Sequence, residues 1–306
     1  MEIPVASAVP PGKRKSRRIW YVLSGLFLLW FFSIQAGCLA MRTPDRKWSA
    51  ELQKKGQQIA PVFHDIPVPG YRTIHAVSVS RSDTLPLVAL VHGSPGSADA
   101  FLSYLADTAL TAVARLVSVD RPGFGYTTGF GRPEGSLYWQ SEALYAVVRK
   151  LANGRKVVLV GHSMGGPVIA RFAMDHPAAV AGLILVAASI DPDLEKHPWW
   201  QSAVDAPPLC WLTPKSLWAS NREILLLEHE LRQMLARWQA IRCPVTAVHA
   251  ADDRLVPFAN VEFARKMLVN CPDFRRKTLS AGDHFILWSR QDVVRASILQ
   301  LLTGNR

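Results

Sequence analysis

The sequence predicts an α/β fold built on a mostly parallel sheet flanked by helices, with a small helical cap and an N-terminal membrane segment. Three observations carry this reading. From about residue 72 onward, strand-like runs alternate with helical patterns, as they do when parallel strands are joined by crossover helices. Residues 190–242 break that rhythm with Pro192, Pro198, Pro207, Pro208 and Pro214 and hold five of the ten tryptophans. An apolar run from Ile19 to about Ala40 carries no charge and follows a basic cluster, Lys13 to Arg18.

Taken in order, residues 1–18 read as a basic cytoplasmic N-terminus. Residues 19–40 have the length and composition of a bilayer-crossing helix. Positive charge before the run favours a signal-anchor with the remainder outside the cytoplasm, in the periplasm if the cell is bacterial. Two other fates stay open: cleavage at a small-residue site near Ala40, which would give a secreted protein, and lipid attachment at Cys38 in Gln35-Ala36-Gly37-Cys38. Residues 41–70 form a linker, polar from Thr43 to Gln58, and residues 71–306 form the main domain.

Strands are expected at Arg72–Ser80, Leu87–Val91, Leu116–Val119, Val157–Val160, Leu183–Ala187, Val245–His249 and Arg275–Leu279. Helices are expected at Asp99–Ala114, Leu137–Leu151, Val168–Asp175, Val261–Leu268 and Phe285–Leu302, with one more, Arg222–Gln239, inside the cap. An insertion as aromatic as 190–242 could line an apolar pocket, or could pack as a plain helical excursion on the sheet. In a sheet of this kind reacting groups gather at the carboxyl ends of the strands.

The formal charge of +11 suggests nucleic acid until it is divided. Residues through Lys47 carry a net +6, and the rest carries +5 with both signs interspersed and no basic stripe alternating with aromatics. Nucleic acid is therefore not expected as a partner. The cysteines, Cys38, Cys210, Cys243 and Cys271, show no zinc or redox spacing and read as small buried hydrophobes.

Chemistry concentrates in Gly161-His162-Ser163-Met164-Gly165. A buried strand, Lys156 to Val160, precedes it, and a helix opening at Gly165-Gly166-Pro167 follows. A serine on so tight a strand-to-helix turn is forced into a strained backbone that projects its hydroxyl, and flanking glycines avoid collisions. Such a hydroxyl needs a base, and the base needs an orienting partner. His284, in Ala281-Gly282-Asp283-His284-Phe285, lies between the last strand and the last helix, at the carboxyl edge. His92 and His162 sit in glycine-flanked turns, His249 lies within a strand, and the other histidines have no motif around them. Asp252 and Asp253 directly follow the penultimate strand, where neighbouring side chains diverge and only one is expected to reach the imidazole. Asp191, after the preceding strand, is the reserve. His92-Gly93-Ser94-Pro95-Gly96 lets backbone approach a developing oxyanion closely. Pro95 has no N–H, so the Ser94 and Met164 N–H groups form the expected oxyanion hole.

These motifs, in this order, resemble the α/β-hydrolase superfamily in its serine-nucleophile, cap-bearing branch, over about Arg72 to Leu302. Asp120-Arg121-Pro122-Gly123-Phe124-Gly125 matches a family loop whose aspartate is usually structural. The family places its acid four residues before a proline, which selects Asp253 ahead of Pro257. The resemblance thus implies Ser163 as nucleophile, Asp253 as orienting acid and His284 as base. Ala250 and Asp283 depart from glycines common in the family, and Asp283 could alter the pH response of His284.

The expected activity is carboxylic-ester hydrolysis through an acyl-enzyme, on a small-molecule substrate with an apolar acyl or aromatic part, without metal or organic cofactor. C–C bond hydrolysis and amidase or aminopeptidase chemistry use the same triad. A noncatalytic binding member of the fold is the alternative from another class.

Overall fold

The computed structural model describes residues 13–35 and 40–304. Its sheet has eight strands: β1 (Val62–Pro67), β2 (Thr73–Val79), β3 (Leu87–Val91), β4 (Arg115–Val119), β5 (Val157–His162), β6 (Val180–Val186), β7 (Val245–Ala250) and β8 (Phe274–Leu279). Their spatial order is β1-β2-β4-β3-β5-β6-β7-β8. The β1–β2 and β2–β4 pairs are antiparallel and all the others are parallel. The central strands Leu87-Val88-Ala89-Leu90-Val91 and Val157-Val158-Leu159-Val160 are buried throughout. Continuous apolar runs of this kind suit a parallel strand covered on both faces.

The helices are α1 (Lys13–Gln35), α2 (Asp45–Lys54), α3 (Leu102–Leu105), α4 (Thr108–Val113), α5 (Leu137–Leu151), α6 (Gly165–Asp175), α7 (Trp199–Asp205), α8 (Leu209–Leu212), α9 (Lys215–Met234), α10 (Ala259–Met267), α11 (Ile286–Ser289) and α12 (Gln291–Gly304). One core cluster gathers Leu144, Val148, Phe172, Met234, Trp238 and Ala264 from α5, α6, α9, α10 and the turn after α9. A second gathers Trp48, Leu52, Tyr104, Leu110, Val294 and Ile298 from α2, α3, α4 and α12. Helix α5 shows how sequence drives this layering, since Leu137, Gln140, Ser141, Leu144, Val147 and Val148 recur at helical spacing and are buried. Helix α6 is covered almost all round.

All seven expected strands are present. Strand β1 was not expected; Phe63, His64 and Asp65 hide its period, and its only neighbour is β2 at the sheet edge. Residues 41–70 are not a plain linker either. Helix α2 lies within them, and its Trp48 and Leu52 are 2% and 0% exposed in the core. The expected helix 99–114 divides because the Asp107 carboxylate caps α4, accepting the Ala109 and Leu110 N–H groups. The expected helix 285–302 divides at Arg290, whose φ of −128° is not helical. The long helix of the insertion starts at Lys215, behind Pro214, rather than at Arg222.

The expected membrane span is not recovered as such. Helix α1 begins inside the basic cluster and ends at Gln35, and among the described residues no helix is long and apolar enough to cross a membrane. Residues 36–39, and with them the Cys38 lipidation site, lie outside the described residues, as does most of the basic N-terminus.

Candidate functional site

The turn between β5 and α6 has the geometry its residues dictate. Ser163 sits at φ +51°, in the left-handed region that costs a non-glycine residue free energy and persists only where the surroundings enforce it. Its N–H donates to the Val186 carbonyl of β6 at 2.9 Å, and its carbonyl accepts from Gly166 N–H at 2.9 Å. The flanking glycines are required. A Cβ at Gly161 would stand 2.3 Å from the Gly165 carbonyl oxygen, and one at Gly165 would stand 2.2 Å from the Val91 carbonyl oxygen.

Asp253 leaves the end of β7 and turns inward. Its Oδ1 accepts the Leu255 and Val256 N–H groups, each at 2.9 Å, while Oδ2 lies 2.9 Å from His284 Nδ1. Burial alone would raise its pKa, but hydrogen bonds from His249, His284 and the Val256 N–H outweigh that and hold the carboxyl well below the usual range. An ionised Asp253 only accepts, so Nδ1 of His284 carries the proton. Nε2 is then free to accept from the Ser163 hydroxyl, 2.9 Å away. The arrangement is an acid, a base in a fixed tautomer and a hydroxyl aligned to lose its proton.

Asp252, the neighbouring acid, is exposed. Asp191 accepts from Asp193 N–H and caps a single helical turn, so it does not reach the imidazole. Asp283 accepts from Phe285 N–H and so steadies the loop that carries His284.

Gly93 lies against Ser163, since a Cβ there would approach both His162 Nδ1 and Ser163 Cβ to 3.0 Å. The expected oxyanion loop and nucleophile turn are therefore in contact. Asp120 is a hub: its carboxylate accepts from Ala98 N–H, Tyr126 N–H and His75 Nδ1. The turn closes on it so tightly that a Cβ at Gly125 would overlap the carboxylate, at 1.9 Å.

Two further histidines support the site. His162 Nε2–H donates to the His284 carbonyl at 3.1 Å, and burial, with His284 close by, lowers its pKa to about 4. His249 Nε2–H donates to the Val256 carbonyl at 2.9 Å, closing the loop that presents Asp253. Sequence spacing could not find either role, because both act on backbone carbonyls, that of His162 lying far away in the sequence. His92 is buried and neutral: Nε2 accepts from Arg121 N–H, and Nδ1–H donates to the Gly93 carbonyl. Burial first, then the Arg121 charge, keeps it from protonating.

The aromatic side chains of the insertion divide. Trp238 is in the core, whereas Trp199, Trp200 and Trp211 are exposed. A cavity of about 300 Å³ lies between Phe130, Arg132, Trp211, Lys215 and Trp218, and none of Ser163, Asp253 and His284 lines it. The aromatic surface beside His284 comes instead from Phe285 and Trp288. Among the described residues no group of acidic, histidine or cysteine side chains could hold a metal ion.

Comparison with known proteins gives a family match over residues 86–213, to the α/β-hydrolase fold. The chain is 30% identical over 178 residues to a pimeloyl-[acyl-carrier protein] methyl ester esterase of Aeromonas hydrophila, covering 58% of this chain and 61% of that one. It is 32% identical over 124 residues to a 1-acylglycerol-3-phosphate O-acyltransferase of Arabidopsis thaliana, covering 39% and 28%. It therefore spans less than two thirds of either relative. Among solved structures it is similar to a membrane phospholipase A described as a bacterial virulence factor, with a TM-score of 0.63, 20% identity, and 94% and 99% of the two chains covered. That likeness carries the fold alone. The family match runs from β3 through α8, and together the two likenesses give this chain the α/β-hydrolase fold.

Proposed function

We propose that the protein is a serine hydrolase that cleaves carboxylic esters through an acyl-enzyme. The observation that carries the reading is the continuous relay from Asp253 through His284 to Ser163, with both hydrogen bonds at 2.9 Å. In the first half-reaction Ser163 Oγ attacks the ester carbonyl as its proton passes to His284 Nε2, and the imidazolium is stabilised by Asp253. The tetrahedral oxyanion is held by the Ser94 and Met164 N–H groups, neither of which donates elsewhere outside the helices and strands. His284 returns the proton to the departing alkoxide. Water, deprotonated by His284, then releases the acid from Ser163.

The proposed substrate is a small ester with an apolar acyl or aromatic part, because Phe285 and Trp288 present half-exposed rings next to His284 and His162. The esterase relative above acts, by its name, on a methyl ester, which agrees in bond type.

We further propose membrane association, with the catalytic domain outside the cytoplasm. Supporting the association, α1 exposes every large apolar side chain from Ile19 through Trp30, an apolar surface far larger than a water-facing helix carries.

The deciding experiment is a fluorophosphonate label combined with an ester panel of graded acyl length. The wild-type protein takes one label and turns over esters, whereas Ser163→Ala does neither. Ester turnover by Ser163→Ala within tenfold of wild type refutes the assignment, since loss of a nucleophile costs on the order of 10⁶ in rate.

A further inference from the structure

Arg121 occupies the centre of a polar cluster that the proposed chemistry leaves unused. It is 2% exposed and Glu223, on α9 of the insertion, is 0% exposed. A guanidinium has five N–H donors, and here every one is committed. Nε donates to the His92 carbonyl at 2.9 Å and Nη2 to the Gly93 carbonyl at 3.0 Å. Nη1 donates to Gln140 Oε1 at 2.6 Å. The remaining two pair with the two carboxylate oxygens of Glu223, at 2.8 and 2.9 Å.

The Gly93 carbonyl belongs to the same planar peptide as the Ser94 N–H, so fixing the oxygen fixes the direction of the N–H. That oxygen receives a second donor, His92 Nδ1–H at 2.7 Å. A cationic donor on the carbonyl side also polarises the peptide and strengthens its N–H as a donor. We infer that Arg121 is a positioning residue for transition-state stabilisation. It locks and polarises the Gly93–Ser94 peptide as an oxyanion donor, and Glu223 ties that peptide to helix α9. The inference rests on the serine-hydrolase reading and deepens it: α9 becomes part of the structure that sets the oxyanion hole.

The test separates positioning from mere stability. Replacing a buried ion pair by apolar side chains of similar volume is often neutral for folding or better, so Arg121→Leu/Glu223→Leu should melt near wild type. Activity should not return with stability. We expect kcat on a short-chain aryl ester to fall about 10- to 100-fold with KM within threefold, a loss somewhat below that of deleting an oxyanion donor outright. The affinity of an aryl trifluoromethyl ketone, which becomes a tetrahedral alkoxide on Ser163, should fall by the same factor as kcat/KM. Arg121→Lys, which keeps the charge but not the fork, carries the same expectation if the double variant fails to fold. Wild-type kcat and ketone affinity in a folded variant overturn the inference while Ser163 still takes a fluorophosphonate. A wild-type protein that takes no fluorophosphonate at Ser163 overturns the serine-hydrolase reading, and this inference with it.

Discussion

His162 donates through Nε2–H to the main-chain carbonyl of His284 at 3.1 Å, so the residue preceding the proposed nucleophile holds the loop that delivers its base. Its other ring nitrogen is buried and makes no hydrogen bond, which leaves no room for a second proton without cost.

A pH-dependent stability follows. The folded pKa of His162 is lowered to about 4, against about 6.5 in an unfolded chain. Between those values the unfolded state binds more protons, so acidification from about pH 6.5 to 4 destabilises the fold, by at most on the order of 3 kcal/mol from this group. His162→Asn removes that slope. The stability advantage of wild type over His162→Asn, read from urea melts, should shrink steadily across the window; a constant difference contradicts the assignment.

Asp253→Asn should cost about 10⁴ in kcat, because an amide can hold the imidazole in the wrong tautomer and cannot stabilise its charge. Asp252→Asn and Asp191→Asn should remain within a few-fold of wild type, since Asp252 is exposed and Asp191 caps a local turn. Side-by-side steady-state assays check this, and a large loss confined to either control moves the acid away from Asp253.

Gly165→Ala should disrupt folding rather than chemistry. The added methyl would sit 2.2 Å from the Val91 carbonyl oxygen of β3, and rigid backbone cannot yield as a side chain does. A loss of about 3 kcal/mol or more is expected, visible as a lowered melting temperature, with no folded population of normal Tm.

Removing residues through Ala40 should leave a stable, active protein, whereas removing α2 as well should not. Trp48 and Leu52 are core residues, and Trp48→Ala alone should cost about 3–5 kcal/mol. Circular-dichroism melts of chains beginning at Met41 and at Gln58 make the comparison. Equal stability would show that α2 is dispensable.

Much of the site was legible because its chemistry is local in sequence. Gly161 to Gly165 declares a forced turn, and Ser163 at φ +51° fulfils it. His284 could be singled out because it follows the last strand, whereas Asp191, Asp252 and Asp253 all follow strands and only the family resemblance chose among them. What stayed hidden depends on long-range geometry. The Arg121–Glu223 pair joins residues 102 apart, and the role of His162 lies in a bond to the distant His284 carbonyl. Helix α2 had a faint signal in Trp48 and Leu52, four residues apart, masked by the charges around them. Strand β1 had less, because only Ile66 of its residues is buried.

The strand order has a consequence in time. Ser163 and His284 are 121 residues apart, and the elbow bearing the serine is assembled from β3, β5, α6 and β6. The base arrives only after β8, an outermost strand whose sole neighbour is β7 and whose Arg275, Arg276 and Lys277 leave it a poor template for pairing with other chains. Between the completion of β6 at Val186 and the arrival of His284, a growing chain thus carries the elbow without its proposed base. On the proposed function, reactivity would switch on only with the docking of the final segment, so ester turnover would report completed folding rather than the presence of the chain.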